Sequence, residues 1–261
     1  MMEDSQPQEV ATVAAPRRRR KIVNLMLAGK GGIGKTLGAS LIAQWLREQG
    51  EAVAVIDADP VQASLASIAS LAAEEVTLLE GELVNVEAMD AVVSRFVTED
   101  RHFVVDCGAS GFRPFSRYLL RDELIAVVAG NGKRVLLHTV IAGGAGDAMT
   151  HTAVAVSHVL DSFLPHVEVV VWLNPFFGEL SHNGVPIEET TFFDSIRGRI
   201  AAIIRLPLLD PNYSGATFAR MLKDKLTFED VRMSQDIGMI TKLRLANVWK
   251  TIKDQLTQVM G

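Results

Sequence analysis

The segment Gly29-Lys30-Gly31-Gly32-Ile33-Gly34-Lys35-Thr36 constrains this chain more than any other. It satisfies the spacing G-x-x-x-x-G-K-[ST], in which glycine-rich backbone turns its N–H groups toward phosphate oxygens, a lysine reaches the outer phosphates and a hydroxyl faces Mg²⁺. The flanks agree with that reading. Ile22-Val23-Asn24-Leu25-Met26-Leu27 is a nearly continuous apolar run, as a parallel strand buried on both faces requires. After the loop, Leu37, Leu41, Ile42, Trp45 and Leu46 recur at helical spacing, and Gly50 supplies a stop. Strand, loop and helix in this order bring unpaired helical N–H donors and a positive dipole end to the glycines. A bound nucleotide is therefore expected, cradled by residues 29–36, with Lys35 on the β/γ-phosphates and Thr36 toward the metal. The alternative, a glycine-rich turn that binds nothing, is disfavoured by these flanks.

The same alternation continues along the chain. Strands are expected at Ala52–Ile56, His102–Val105, Val135–Ile141, Val167–Leu173 and Ile200–Ile204, with a short one near Val76–Leu79. Helices are expected at Val84–Phe96, Ala153–Leu160 and over most of the chain after Phe218, while Leu119–Val128 carries both signals. Strands alternating with helices predict an α/β fold: three layers, a mostly parallel sheet with helices on both faces. Ligands bind beyond the carboxyl ends of such strands. Those ends carry Asp57 and Asp59, Asp106, and Asn174.

A nucleoside triphosphate needs Mg²⁺ and, for hydrolysis, a group that orients water. Asp106, closing the apolar run Phe103–Val105, is the expected carboxylate behind the metal; a plain turn or helix cap is the alternative. Asp57 and Asp59 lie two apart and would point the same way in extended chain. Asp59 is assigned to the attacking water and Asp57 to the metal shell, against the alternative of a turn signal before Pro60.

Bulk properties exclude several classes. With 261 residues, 48% hydrophobic, the chain can build one substantial core. A net charge of −5 argues against a generally cationic nucleic-acid binder. No apolar run approaches the roughly 18 residues of a membrane span, and the single cysteine, Cys107, allows no disulfide framework. A reducing, cytoplasmic setting is the default. Residues 1–20 read as a disordered tail with a basic run and 21–261 as the phosphate-loop domain. The basic run Arg17–Lys21 has too short an apolar sequel for a signal peptide. It suits DNA or acidic lipid about as well as a solvated tail. The six histidines lack metal-ligand spacing, and Cys107 reads as a small strand-end residue. Leu245, Val248, Trp249, Ile252, Leu256 and Val259 form an apolar stripe with basic flanks, which fits a helix docked on the sheet or one lying on a membrane.

With Lys30, Asp57-Ala58-Asp59-Pro60 and Asp106 in place, the chain resembles the deviant Walker A ATPases, which include the ParA partition proteins, MinD and the nitrogenase iron protein. The resemblance implies ATP and Mg²⁺ as cofactors and a homodimer formed on ATP, in which Lys30 reaches the partner's phosphates. It also implies that Asn174 contacts adenine and that the backbone at Pro207 flanks the base. One cysteine counts against an iron–sulfur carrier, which would need at least two per chain. Asp59-Pro60-Val61, Asp106-Cys107-Gly108-Ala109-Ser110, His138-Thr139-Val140, Trp172-Leu173-Asn174-Pro175 and Leu226-Thr227-Phe228 are similar to TraL-type conjugal transfer proteins and to StbB plasmid-stability ATPases. That similarity implies plasmid-encoded transfer or stability proteins as partners. The alternatives are a membrane-recruited positioner like MinD and a small-molecule kinase or ligase. Partition proteins usually carry prolines where this chain has Asp106-Cys107-Gly108-Ala109, so DNA-stimulated hydrolysis is not expected to carry over.

Overall fold

The structure, a computed structural model, describes residues 20–59, 64–80, 83–144, 148–182 and 184–261. Pro60, Val61 and the tail with most of its basic run lie outside the described residues. In chain order the strands are β1 (Ile22–Met26), β2 (Val53–Ala58), β3 (Glu74–Glu75), β4 (Leu79–Glu80), β5 (Leu83–Val84), β6 (His102–Cys107), β7 (Arg134–Ala142), β8 (Glu168–Asn174), β9 (Ser181–His182), β10 (Val185–Pro186) and β11 (Ala202–Arg205). The helices are α1 (Lys35–Glu48), α2 (Val86–Thr98), α3 (Phe112–Leu120), α4 (Leu124–Gly130), α5 (Ala148–Phe163), α6 (Thr191–Arg197), α7 (Ser214–Lys223), α8 (Phe228–Met233) and α9 (Met239–Met260).

Seven strands form one sheet in the order β11-β8-β7-β1-β6-β2-β3, and every neighbouring pair in it is parallel. The fold is α/β with a wholly parallel main sheet, and the register sets the site. Met26 pairs with both Asp106 and His138, and Asp57 pairs with Asp106. The glycine loop therefore leaves the central strand with a carboxylate strand on one side.

Alternation divides the core. Val23, Leu25 and Leu27 face the layer of α2 to α6, whereas Ile22 and Met26 face α1 and α7 to α9. Asn24, on the α1 side, would be an unpaired polar group in a dry core. It is satisfied by Phe103 O and His138: Asn24 Nδ2 donates to Phe103 O at 3.1 Å and His138 Nε2 lies 3.0 Å from Asn24 Oδ1, while Trp172 Nε1 donates to His138 Nδ1 at 3.0 Å. Since Trp172 occupies Nδ1 as a donor, the proton sits on Nε2 and the ring is neutral. Complete burial holds the imidazole pKa down at about 3.

The stripe on α9 docks on the sheet. Leu245, Val248, Ile252, Leu256 and Met260 are buried, Trp249 stacks on Phe228, and Trp45 Nε1 donates to Thr257 Oγ1 at 3.0 Å. Freeing this face for a membrane would re-expose five side chains, each worth about 1.5–3 kcal/mol when buried. Among the described residues, no helix is long and apolar enough to cross a membrane.

Secondary structure departs from expectation in three places. In place of the short strand expected near Val76–Leu79, β3 ends at Glu75, residues 76–78 are not in a strand and β4 begins at Leu79. Leu119–Val128 resolves as helix, split between the end of α3 and α4. Residues 175–199 hold the β9–β10 hairpin and α6, short elements whose few residues give no period to read.

Candidate nucleotide site

The loop between β1 and α1 is shaped by glycine. Gly32 has φ +70° and Gly34 φ +100°, values that a side chain would strain. Gly31 and Gly32 face open space, and Lys30 is exposed, while Ile33 is buried and pins the loop to the α1-side core. Gly34 admits nothing larger: a Cβ there would lie 2.7 Å from Asn174 Nδ2.

Lys35 is 7% exposed and donates from Nζ to Lys30 O at 2.8 Å, so its ammonium is held under the loop. Desolvation lowers its pKa, against the attraction of Asp106. Thr36 Oγ1 donates to Asp106 Oδ2 at 2.6 Å. The other oxygen, Asp106 Oδ1, is buried and accepts no hydrogen bond among the described residues. Burial raises the Asp106 carboxyl to about 7 even though the Thr36 bond opposes the shift. A buried carboxylate with an orphaned oxygen beside a hydroxyl is an incomplete hard-oxygen set, which suits a small divalent cation.

Asp57, assigned above to the metal shell, is held by backbone N–H groups. It lies inside β2, 2% exposed. Oδ1 accepts from Asp59 N at 3.1 Å, and Oδ2 accepts from Leu65 N at 2.8 Å and Ala66 N at 2.9 Å. β2 ends at Ala58, between the two aspartates. Asp57 anchors the segment after the strand; Asp59 lies over Gly108, where a Cβ would be 2.5 Å from its carboxyl carbon. Burial leaves Cys107 with a pKa far above the usual thiol range, so it is an inert packing group.

Two cavities flank the loop. On the Gly34 side, about 410 Å³ is enclosed by Leu37, Asn174, Phe176, Pro207, Leu208 and other, mainly apolar, residues. Asn174 and Pro207 thus line one cavity. Asn174 also clamps the loop to the end of β8, since Nδ2 donates to Ile33 O at 2.8 Å and Oδ1 accepts from Phe176 N at 3.1 Å. On the Lys30 side, about 780 Å³ is lined by Gly29, Lys30, Phe112, Arg113, His151, His158 and their neighbours. Phe112 and Arg113 line this second cavity without belonging to the phosphate site, and their only sequence signal is their place just after the Asp106 strand.

A glycine loop on the central parallel strand, a buried lysine under it and a threonine–aspartate pair beside it define a P-loop nucleotide-binding protein. The chain belongs to the CobQ/CobB/MinD/ParA nucleotide-binding domain family, whose pattern matches residues 25–255. It is similar to Protein TraL of Escherichia coli, with 32% identity over 234 residues that cover 90% of this chain and 95% of that protein. A second Escherichia coli Protein TraL is 30% identical over 90% of this chain and 96% of its own length. Among solved structures, the MinC:MinD cell division protein complex of Aquifex aeolicus superposes with a TM-score of 0.54 at 15% identity, covering 92% of this chain and 96% of that one. That likeness bears on the fold. Members of the family are nucleotide-binding domains and generally ATPases.

Proposed function

We propose that this protein is a Mg²⁺-dependent, slowly hydrolysing ATPase that works as a dimerising switch in plasmid conjugal transfer or plasmid stability. The observation that carries the reading is the Lys35, Thr36 and Asp106 constellation, with a charged donor, a hydroxyl and an orphaned carboxylate oxygen at the mouth of one loop.

Thr36 and Asp106 would hold Mg²⁺, and the ion when bound would neutralise charge on the β- and γ-phosphates. Lys35 exchanges its bond to Lys30 O for phosphate oxygens, at little cost in reorganisation because the ammonium is already desolvated. The open N–H groups of residues 31–34 bind the phosphates. Asp59 orients the attacking water from the far wall. Asn174 and Pro207 receive the base in the apolar cavity, where the buried clamp to Ile33 O makes base occupancy and loop shape interdependent. Lys30, exposed and on the side of the loop away from the base, is the residue that crosses to a second copy. Slow turnover suits a protein whose bound nucleotide acts as a timer. The plasmid assignment is supported by the similarity to TraL over nearly the whole chain.

Sizing by light scattering, with and without ATP and Mg²⁺, tests the switch. Wild type is expected to double in mass with ATP, and Lys30→Ala to bind ATP yet stay monomeric. A wild type that binds ATP and remains a monomer would sink the dimer.

A further inference from the structure

We propose that the groove between α3 and α5, beside Lys30, docks an acidic amphipathic segment of a partner protein. The cavity of about 780 Å³ gathers Lys30, Arg113, His151 and His158, and among the described residues neither an Asp nor a Glu lines it. Lys30 and Arg113 are exposed, and among the described residues neither has an ion-pair partner. Arg117, one helical turn beyond Arg113 on the outer face of α3, is likewise exposed and unpaired among the described residues. In a chain of net charge −5, where Arg95, Arg134, Arg199 and Arg232 each sit on a carboxylate, a concave site left cationic is complementary to carboxylates from elsewhere.

The walls decide what kind of acidic partner fits. Phe112 lines the groove, and Val154, on the α5 side, is 63% exposed. Phosphate backbone gains nothing from such apolar surface, whereas a segment alternating acidic and aliphatic side chains satisfies both halves of the wall. Arginine clusters are a recurrent reader of acidic motifs. The binding stands on the groove alone. Its consequence rests on the switch proposed above: a segment lying against Lys30 occupies the face that a second copy would need, so docking and ATP-driven dimerisation exclude each other.

The test uses the full chain and a fluorescein-labelled peptide alternating glutamate and leucine, read by anisotropy without nucleotide. Binding is expected for wild type, weakened about tenfold or more by Arg113→Glu and by Val154→Asp. Both variants should bind a fluorescent ATP analogue within about twofold of wild type, which shows that they are folded. A matched lysine–leucine peptide should not bind. Equal peptide binding by wild type and both variants, or none by any, overturns the proposal. So does an oligonucleotide of matched charge that binds more tightly and is lost in Arg113→Glu. Self-association without nucleotide that Arg113→Glu abolishes would overturn it in favour of a second copy. Adding ATP and Mg²⁺ should release the peptide; retention would overturn the competition alone, with the groove still supported by the variant series.

Discussion

The two cavities beside the phosphate loop are built on opposite principles. The one next to Gly34 is apolar and has one polar side chain on its wall, Asn174, with both polar atoms already engaged. The one next to Lys30 is larger and carries uncompensated basic groups. The loop separates a half whose walls offer burial from a half whose walls offer charge. Burial is insensitive to salt, whereas exposed charges are screened beyond about 10 Å at 0.1 M. The halves should therefore respond to different perturbations.

The largest effect concerns the root of the apolar half, where Trp172, on the strand that ends in Asn174, rests on neutral His138. The folded His138 pKa, about 3, is depressed from 6.5. Below 6.5 the unfolded chain takes up a proton that the folded chain refuses, so stability is lost as pH falls from 6.5 toward 3. The slope approaches about 1.4 kcal/mol per pH unit and totals roughly 5 kcal/mol at most. Asp106, raised from 3.8 to about 7, works in the opposite sense between those values. Urea denaturation from pH 7 to 4 is best compared in chains that carry Asp106→Asn, with and without His138→Gln. Acid lability should be pronounced in the first and shallow in the second; parallel curves would remove His138 as the cause.

Next is Lys35→Ala, which deletes the charged donor held under the loop. A charge-assisted hydrogen bond is worth about 1.5–3 kcal/mol, so ATP affinity should fall roughly a hundredfold. Calorimetric titration checks it, and a loss under about threefold would mean that Lys35 stays on Lys30 O in the complex. Gly34→Ala follows. Its Cβ demands the space of Asn174 Nδ2 at a φ of +100°, so the clamp to Ile33 O should break. Backbone strain and the lost bond together cost about 2 kcal/mol. Weaker nucleotide binding with unchanged salt dependence is expected; a steeper salt dependence would place the damage on the charged half.

How much of this was legible in the sequence depended on how local the signal was. The loop, its lysine and Asp106 announce themselves because phosphate chemistry fixes residue type and spacing within one turn of chain. The central strands were equally plain, since strands buried on both faces must be continuously apolar. The motif segments shared with TraL-type proteins carried information whose physical content was hidden. His138 and Trp172 complete a buried network with Asn24. Thr227 closes a capping box with Asp230, and Phe228 stacks between Phe218 and Trp249. The backbone contacts of Asp57 had no local sequence signal, because Leu65 and Ala66 lie 8 and 9 residues further on. The cationic groove was invisible, because Arg113 and His158 lie 45 positions apart and only the packing of α3 and α5 brings them together.

The smallest expected effect is the sharpest discriminator. Leu208 is 77% exposed without ligand and lines the apolar cavity, so Leu208→Ser should leave the folded chain's stability unchanged. If a base enters, Leu208 loses solvent contact only in the complex, and at about 25 cal/mol per Å² its truncation costs about 1 kcal/mol, roughly fivefold in ATP affinity. That loss should be the same at low and high salt and should shrink for inorganic triphosphate, which has no base to bury. Arg113→Ala should show the reverse pattern with the acidic peptide, a loss that fades as salt rises. If Leu208→Ser weakens ATP and triphosphate equally, the apolar cavity does not receive the base, and the division of the site into a burial half and a charge half fails with it.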